Sequence, residues 1–453
     1  MCEIGFRAGT LLVKRCEALQ GDLPYLIWDE RVSCHRAKAS DYARLVMEHV
    51  RNGLPYNDQA RAYLQIGSSL VATRTPRSYQ RAALDSWTRN RSQGVIVLPT
   101  GAGKTQVALM AMDRVQRSCL VVVPTLDLVR QWRRRISEDF GCAVGQVGGG
   151  THEIAPITVT TYDSAYIHME HLGDKFGLII FDECHHLPSG AYRLASESSL
   201  APFRLGLTAT PERTDGGEAL YGELIGPIVY REEIGNLAGE YLADYDTEQI
   251  AVKLTEQERG LYEEERAIYR EFVTTRGIRL GGGNGWQRFI SETARSKAGR
   301  RAMQAYQKQR QLAYAAPSKL DYLNTLIARH ADAQMLIFTQ DNQTVYEISR
   351  RFLVPAITHQ TKLKERTEYL DGFGRGEYRI IVTSKVLNEG VDVPNASVAV
   401  VLSGSGSIRE HVQRLGRILR PYAGKRAILY ELIAENTVEQ YTSQRRRAHN
   451  AYQ

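Results

Sequence analysis

Short runs of apolar residues alternate with longer amphipathic stretches over most of the chain after residue 74. Because these runs are apolar at most positions and too short for helices, they predict strands of parallel sheets buried on both faces. The first set of strands is predicted at 94–98, 119–123, 157–160, 178–181 and 204–207. The second set is predicted at 335–338, 379–382, 398–402 and 427–430. We therefore expect two α/β domains, the first at 74–235 and the second formed by 236–254 together with 318–453.

The segment before the first α/β domain has a different pattern. Residues 9–14 and 24–28 have strand character, whereas 39–53 place Tyr42, Leu45, Val46 and Val50 on one stripe of an amphipathic helix. This predicts a small α+β domain over residues 1–70. It contains no catalytic constellation, so a recognition module and a simple packing appendage are both compatible with its sequence.

A helical segment at 255–317, between the two α/β domains, carries most of the net charge. Residues 255–320 contain thirteen Lys or Arg against seven Asp or Glu, an excess of six within a chain of net charge +7. Residues 276–319 hold ten basic residues and only one acid, Glu292. The interleaved aromatic residues are Trp286, Phe289, Tyr306 and Tyr314. We interpret the segment as a phosphate-contacting surface, with an ordinary solvated helical face as the alternative.

The composition is that of a soluble globular protein. The 453 residues are 43% hydrophobic and 24% charged, which suits about three domains. No apolar run approaches the length of a membrane span, and the N-terminus lacks a secretory pattern. The six cysteines are scattered without a Cys-x-x-Cys pair, so we expect reduced thiols, no disulfide framework and no structural metal site.

Residues 98–105, Leu-Pro-Thr-Gly-Ala-Gly-Lys-Thr, have the spacing of a phosphate-binding loop between a strand and a helix. Gly101 and Gly103 allow backbone N–H groups to converge on phosphate oxygens, with Ala102 between them. Lys104 supplies a positive charge to the β- and γ-phosphates, and the Thr105 hydroxyl is a ligand for Mg²⁺. We therefore expect Mg²⁺ and ATP at this loop.

Two adjacent carboxylates, Asp182 and Glu183, follow the apolar run 178–181 directly. At the tip of a buried strand, Asp182 would hold the metal and Glu183 would orient or deprotonate the attacking water. His185 is either a structural histidine or a coupling residue.

An arginine cluster occurs more than three hundred positions after the loop. Arg417 and Arg420 lie three residues apart, hence on one helical face, and Gln413 precedes them. Two guanidinium groups directed at a γ-phosphate would act as arginine fingers. Together with the loop, the cluster predicts an ATP-driven motor whose two halves close on the nucleotide.

The order of the motifs resembles that of superfamily-two helicases over residues 74–435, and several stretches are similar to the XPB family. The segments that carry the resemblance are Tyr79-Gln80, 123–128, 160–163, 204–216, 383–394, 402–407 and 413–420. The resemblance implies two RecA-like domains, a damage-recognition-like N-terminal domain and a thumb-like insertion at 255–317. The short length of this chain resembles that of the compact archaeal form of the family.

The resemblance also implies a DNA-dependent ATPase of the 3′→5′ helicase or translocase type that acts in nucleotide excision repair. It implies single-stranded, forked or damaged duplex DNA as substrate and suggests a nuclease as partner protein. The expected location is the prokaryotic cytoplasm, at the nucleoid.

Individual roles follow from positions within the shared motifs. Residues expected at ATP, besides the loop, are Gln80, Gly390 and Asp392. Residues expected to couple hydrolysis to DNA are His185, Thr208, Thr210 and Gln413. Residues expected at DNA are Thr125, Thr161, Arg213, Asp215, Thr339 and Thr383, with Arg295, Lys297, Arg300 and Arg301 of the basic segment. The family's Arg-Glu-Asp element corresponds to Arg213-Thr214-Asp215, so its central carboxylate is missing and unwinding is expected to be weaker than translocation.

Two other functions remain open at this point. An RNA helicase would carry the same Asp-Glu-x-His form, and no residue reads the 2′-hydroxyl. A non-catalytic nucleic-acid scaffold is disfavoured, because the loop lysine, the acid pair and both arginines are all present.

Overall fold

The computed structural model describes the chain except for residues 17–22, 72–73, 214, 238, 281–283, 385, 388–395, 405–413, 415–425 and 447–453, and it leaves out the side chains of 445–446. The chain divides into two compact units, Met1–Leu237 and Ala238–Gln453. None of the helices in the described part of the chain has both the length and the apolar character needed to cross a membrane.

The N-terminal part of the first unit is a five-stranded sheet covered by one helix. Its strands are β1 (Cys2–Arg7), β2 (Thr10–Lys14), β3 (Ile27–Asp29), β4 (Cys34–Lys38) and β5 (Tyr56–Asp58), in the spatial order β3-β4-β2-β1-β5. Helix α1 (Tyr42–Arg51) places Tyr42 and Leu45 in a core with Ile4, Leu11 and Val13. The predicted helix and the strand at 9–14 are confirmed, but Val50 is 56% exposed and His49 is buried in its place. The strand predicted at 24–28 is only Ile27–Asp29.

This small sheet packs on the first α/β domain. The Lys38 ammonium lies 3.1 Å from a Glu197 oxygen and 2.9 Å from a Glu223 oxygen. Leu200 of the α/β domain belongs to the core of the small sheet. The connecting segment is also attached, since Leu64 N–H donates to Ser118 Oγ at 3.1 Å. These contacts support the interpretation of residues 1–70 as a packing appendage. Recognition by this domain stays a prediction.

One cysteine pair departs from the expectation of reduced thiols. Cys2 at the start of β1 and Cys16 after β2 form a disulfide, and His49 Nε2 lies 3.3 Å from Cys16 Sγ. The hairpin of β1 and β2 brings the two cysteines together although they are 14 positions apart. The prediction of reduced thiols is therefore wrong for this pair.

The first α/β domain is built on an eight-stranded sheet, in which every neighbouring pair is parallel except β8 with β9. Its strands are β6 (Gln93–Val97), β7 (Cys119–Val123), β8 (Gly145–Gly148), β9 (Thr151–Glu153), β10 (Ile157–Thr161), β11 (Leu178–Asp182), β12 (Phe203–Thr208) and β13 (Ile228–Arg231). Its helices are α2 (Ser78–Arg89), α3 (Lys104–Val115), α4 (Leu126–Phe140), α5 (Tyr162–Leu172), α6 (Leu194–Glu197), α7 (Tyr221–Leu224) and α8 (Ile234–Leu237). The spatial order is β13-β6-β12-β11-β7-β10-β8-β9. All five strands predicted here are confirmed to within about one residue at each end.

The second unit contains a parallel sheet of six strands in the order β14-β19-β18-β15-β17-β16. The strands are β14 (Asp244–Val252), β15 (Met335–Phe338), β16 (Ala356–Ile357), β17 (Ile380–Thr383), β18 (Val398–Val401) and β19 (Arg426–Ala434). Helices α12 (Pro317–Arg329), α13 (Asn342–Phe352), α14 (Leu363–Arg375) and α15 (Val438–Arg446) belong to the same unit. The predicted fold class, two parallel α/β sheets, is confirmed.

The basic insertion forms three helices, α9 (Glu256–Thr275), α10 (Gly285–Ala294) and α11 (Lys297–Ala315). Phe289 is buried, and its ring contacts Tyr269, Trp286 and Tyr306. Phe289 thus belongs to the core of the insertion with Phe272, Ile278 and Ala302, and its assignment to a phosphate-contacting surface is wrong. Trp286 keeps 41% of its surface exposed.

Candidate functional site

The predicted site residues of the first unit lie along one edge of the eight-stranded sheet. Because β6, β12, β11, β7 and β10 are parallel neighbours in that order, their carboxyl ends meet at this edge. In the same order the edge carries the phosphate loop, Thr208, Asp182, Thr125 and Thr161. Strands are about 4.8 Å apart, so Asp182 lies between the loop and the two threonines.

The phosphate loop has the backbone that its glycines were expected to provide. Gly101 and Gly103 have φ angles of 87° and 81°, a region that other residues rarely adopt. A Cβ on Gly103 would lie 2.5 Å from the Gln80 amide nitrogen, so a side chain here would displace the Gln80 amide. Helix α3 begins at Lys104, with the half-buried Thr105 in its first turn. The N-terminus of α3 therefore faces the loop, as anion binding requires.

Gln80 forms hydrogen bonds with the backbone of this loop. Its amide nitrogen donates to the carbonyls of Ala102 and Gly103, at 3.1 and 3.4 Å, and its amide oxygen accepts from Arg77 N–H at 3.0 Å. The Tyr79 hydroxyl donates to the same Ala102 carbonyl at 2.7 Å. These hydrogen bonds fix the loop, and the predicted contact of Gln80 with adenine stays a prediction.

The acid pair, Asp182 and Glu183, lies close to Lys104 of the phosphate loop. Lys104 Nζ lies 4.0 Å from a Glu183 carboxylate oxygen and donates to the Leu98 carbonyl at 3.3 Å. The pKa of Asp182 is raised to about 6, mainly by burial and next by the neighbouring Glu183. The charge of Lys104 and a hydrogen bond from Trp132 offset part of this increase. Glu183 has a φ angle of 47°, an unusual backbone for a non-glycine residue at the end of a strand.

The donors present here fit Mg²⁺. Asp182 and Glu183 are both buried, and the Glu183 oxygen that lies 3.5 Å from His185 Nδ1 accepts no hydrogen bond. Two adjacent buried carboxylates beside one lysine leave excess negative charge that a divalent cation would neutralise. Carboxylate and hydroxyl oxygens are also the ligands that Mg²⁺ prefers.

The predicted coupling residues of the first unit form a connected chain. His185 Nδ1 lies 3.5 Å from a Glu183 oxygen and 3.2 Å from the Thr208 hydroxyl. The Thr208 hydroxyl also contacts the backbone of Thr210, whose N–H donates to it at 3.2 Å. The acid pair is therefore linked directly to the neighbouring strand β12.

Arg213 and Asp215 face each other. The Arg213 guanidinium donates to both Asp215 oxygens, at 2.8 and 2.6 Å, and also to the His185 carbonyl. The hydrogen bonds from Arg213 hold the pKa of Asp215 below its usual range. The Arg213 side chain is only 13% exposed, and it joins this element to the acid-pair loop. Its predicted DNA contact is not supported by this geometry.

Two aromatic side chains that contact Asp182 were not predicted from the sequence. Trp132 of α4 donates its indole N–H to an Asp182 carboxylate oxygen at 2.9 Å. The Tyr162 hydroxyl of α5 donates to the Asp182 carbonyl at 2.9 Å. Both residues lie on the buried faces of amphipathic helices, and that pattern also describes ordinary core residues.

The four threonines predicted at DNA divide into two pairs. Thr125 and Thr161 are the N-caps of α4 and α5, and their hydroxyls accept from Leu128 N–H at 3.3 Å and Ser164 N–H at 3.2 Å. Thr339 and Thr383 in the second unit are 0% exposed. Neither of these two hydroxyls can contact a phosphate in this structure, so the prediction is not supported there.

The predicted basic residues differ in how far their charge is available. Lys297 and Arg300 are exposed on α11. Arg301 lies 2.6 Å from Glu265 of α9, and Arg295 lies 3.0 Å from Glu292. Helix α9 thus neutralises part of the positive surface, through a contact between residues 36 positions apart.

Gly390, Asp392, Gln413, Arg417 and Arg420 lie outside the described residues. Their predicted roles therefore stay predictions. Arg414, within the same motif, is described and buried, and its guanidinium lies 5.2 Å from the centre of the Phe338 ring.

Three family models match different parts of the chain. Residues 4–60 match the xeroderma pigmentosum group B helicase damage recognition domain. Residues 73–213 match the res subunit of type III restriction enzymes, and 299–453 match the ERCC3/RAD25/XPB C-terminal helicase.

Relatives extend the match over most of the chain. It is 44% identical to the DNA 3′-5′ translocase XPB2 of Sulfurisphaera tokodaii, over 82% of this chain and 84% of that protein. It is 32% identical to the DNA 3′-5′ helicase XPB of Mycobacterium tuberculosis, over 82% of this chain but only 63% of that longer protein. The Hef helicase domain of Pyrococcus furiosus shares the fold, with a TM-score of 0.54 at 20% identity over 82% of this chain and 98% of that domain. The extent of these matches, with the phosphate loop and acid pair in place, shows that the chain belongs to the XPB family of superfamily-two helicases.

Proposed function

We propose that this chain is a DNA-dependent ATPase that moves 3′→5′ along DNA and acts in nucleotide excision repair. The observation that carries the proposal is the single sheet edge that holds Lys104, the acid pair and the N-termini of α4 and α5. An ATP-hydrolysing site and two helix ends suited to phosphate thus share one rigid support.

At the ATP end, the loop N–H groups and Lys104 bind the β- and γ-phosphates. Asp182 and Thr105 would hold Mg²⁺, which neutralises charge that develops on the phosphates during hydrolysis. Glu183 orients the attacking water and accepts its proton, and His185 transmits this state to Thr208. Arg417 and Arg420 are proposed to stabilise the charge on the transferred phosphate, as the family motif implies.

At the DNA end, α4 and α5 begin immediately after Thr125 and Thr161. Because both threonine hydroxyls serve as caps, the remaining backbone N–H groups of the first turns are the donors best placed for a DNA phosphate. Such contacts read no bases, which suits a motor that must move over any sequence.

The polarity and the repair role rest on the family. The relatives are named 3′-5′ translocase and 3′-5′ helicase, and the N-terminal match is to a damage recognition domain. We also propose a nuclease partner, a prokaryotic cytoplasmic location at the nucleoid, and Mg²⁺ as the metal. The Arg213-Thr214-Asp215 sequence favours translocation over strand separation.

Directional movement is the expected behaviour on single strands. ATP should accelerate displacement of streptavidin from a biotin at the 5′ end of an oligonucleotide, and much less from the 3′ end. A forked duplex measured in parallel reports strand separation, which we expect to be slower than displacement. Equal displacement from both ends, or preferential release from the 3′ end, would contradict the proposed polarity.

Lys297→Gln and Arg300→Gln are expected to weaken DNA binding and reduce its salt dependence. For every phosphate that a variant no longer neutralises, the slope of log affinity against log salt should fall by about 0.9 on duplex DNA. Arg379→Gln is the control, because this arginine is 61% exposed and lies at the amino end of β17. Equal slopes for all three variants and the unaltered chain would show that α11 is an ordinary solvated helical face and not a phosphate-contacting surface.

A further inference from the structure

The carboxylate expected to hold the metal is held by a helix that begins at a predicted DNA contact. Thr125 caps α4, and Trp132 lies seven residues further along, about 10 Å along the helix axis. The Trp132 indole N–H donates to an Asp182 carboxylate oxygen at 2.9 Å. One helix therefore reaches from the proposed phosphate contact to the ATP site.

The inner face of α4 is packed along its length. Leu128, Val129, Trp132 and Ile136 are buried along its inner face. Arg133 binds the Val144 carbonyl through two nitrogens, at 3.2 and 3.0 Å. A shift at the first turn is therefore transmitted to Trp132 more readily than it is absorbed within the helix.

The hydrogen bond from Trp132 restricts the orientation of the Asp182 carboxylate, which core packing alone would not do. An apolar ring would fill the same space without contacting a carboxylate oxygen. The N–H of Trp132 fixes one oxygen, while the other accepts from Glu183 N–H at 3.0 Å. The orientation of this carboxylate therefore depends on where α4 lies.

We propose that Trp132 is a positioning residue that couples DNA binding at the first turn of α4 to the orientation of Asp182. The inference rests on the proposed function, because it requires DNA at Thr125 and a nucleotide at Lys104. Tyr162 supports the same strand end from α5, through the Asp182 carbonyl, without touching the carboxylate.

Trp132→Phe removes the donor and keeps an aromatic ring. Trp87→Phe is the matched control, because Trp87 is equally buried and donates its indole N–H at 2.8 Å to the Arg204 carbonyl, away from the site. The affinity of a fluorescent non-hydrolysable ATP analogue with Mg²⁺ is measured with and without duplex DNA, together with ATP hydrolysis. Because coupling between two sites is reciprocal, the ratio of the two affinities measures it without any turnover.

We expect DNA to change analogue affinity in the unaltered chain and in Trp87→Phe by the same factor. In Trp132→Phe this factor should fall toward one, and DNA-stimulated turnover should fall about tenfold, the equivalent of one hydrogen bond to a charged group. Unchanged coupling in Trp132→Phe, or equal losses in both variants, would overturn the inference. If DNA changes neither ATP hydrolysis nor analogue affinity in the unaltered chain, the proposed function is overturned instead.

A second measurement does not depend on the folding of Trp132→Phe. The chain has four tryptophans, so changing Trp28, Trp87 and Trp286 to Phe leaves Trp132 as the only indole emitter. Adding DNA to this chain should change its emission, because the proposal requires the contact between the indole N–H and the Asp182 carboxylate to change when DNA binds. A constant emission in a chain that binds DNA would contradict the coupling role.

Discussion

Glu183→Gln is expected to lower DNA-stimulated ATP hydrolysis by about 10²- to 10⁴-fold, the range typical of losing a general base. The substitution keeps the size of the side chain, which lies 4.0 Å from the Lys104 ammonium, but removes the group that accepts a proton from water. DNA affinity should stay within about twofold, because the predicted phosphate contacts are on α4 and α5. Steady-state phosphate release and a DNA-binding titration measure the two quantities.

Glu170→Gln provides the control for this substitution. Glu170 is an exposed carboxylate of the same domain, 3.2 Å from His171, and its removal should leave turnover unchanged. Lys104→Ala is expected to abolish hydrolysis as well, by removing the charge that binds the phosphates. Undiminished turnover in Glu183→Gln would refute the assignment of the acid pair.

Lys319→Met is expected to lower the free energy of unfolding of the second unit by about 3–5 kcal/mol, as is typical when one partner of a buried ion pair is removed. Lys319 and Glu439 are both 0% exposed and lie 2.8 Å apart. The Lys319 ammonium also donates to the Leu402 carbonyl at 2.6 Å and the Ala313 carbonyl at 3.2 Å. It therefore ties α12 to α11, to the end of β18 and to α15.

The double variant Lys319→Met, Glu439→Leu separates charge from packing. Because it removes both charges, we expect it to recover part of the stability that the single variant loses. Recovery is incomplete because the Leu402 and Ala313 carbonyls still lose their donor. Arg426→Met is the control, because the Arg426–Asp246 pair is exposed and its removal should change stability by less than about 1 kcal/mol. Urea unfolding of each variant gives the comparison. A single variant as stable as Arg426→Met would contradict the expected cost of burying Glu439 alone.

The central parallel strands could be predicted because burial on both faces makes them mostly apolar. The parallel edge strands β13 and β14 were missed because they are more exposed and more polar. Strands β7 and β15 match the prediction to the residue. Strand β4 was missed because its sequence, Cys-His-Arg-Ala-Lys, has few apolar residues and no period-two alternation, with only Cys34 and Ala37 buried. Strand β16 was missed because two residues carry no periodicity.

The phosphate loop and the acid pair could also be predicted, because their chemistry is encoded by neighbours in the sequence. The contact of Trp132 with Asp182 could not, since it joins residues 50 positions apart. The same reason explains the pairing of Arg301 with Glu265 and the disulfide between Cys2 and Cys16. The burial of Thr339 and Thr383 follows from their places at the ends of central strands, which the motif resemblance does not express.

The most direct test of the proposed motor is the rate of ATP hydrolysis with duplex DNA, single-stranded DNA, forked DNA, RNA and no polynucleotide. Measured with Mg²⁺ on the unaltered chain and on Glu183→Gln, it tests the site and the substrate together. We predict strong stimulation by DNA, little by RNA, and almost none of either in the variant. Equal stimulation by RNA, or hydrolysis that no polynucleotide alters, would contradict a motor that works on DNA.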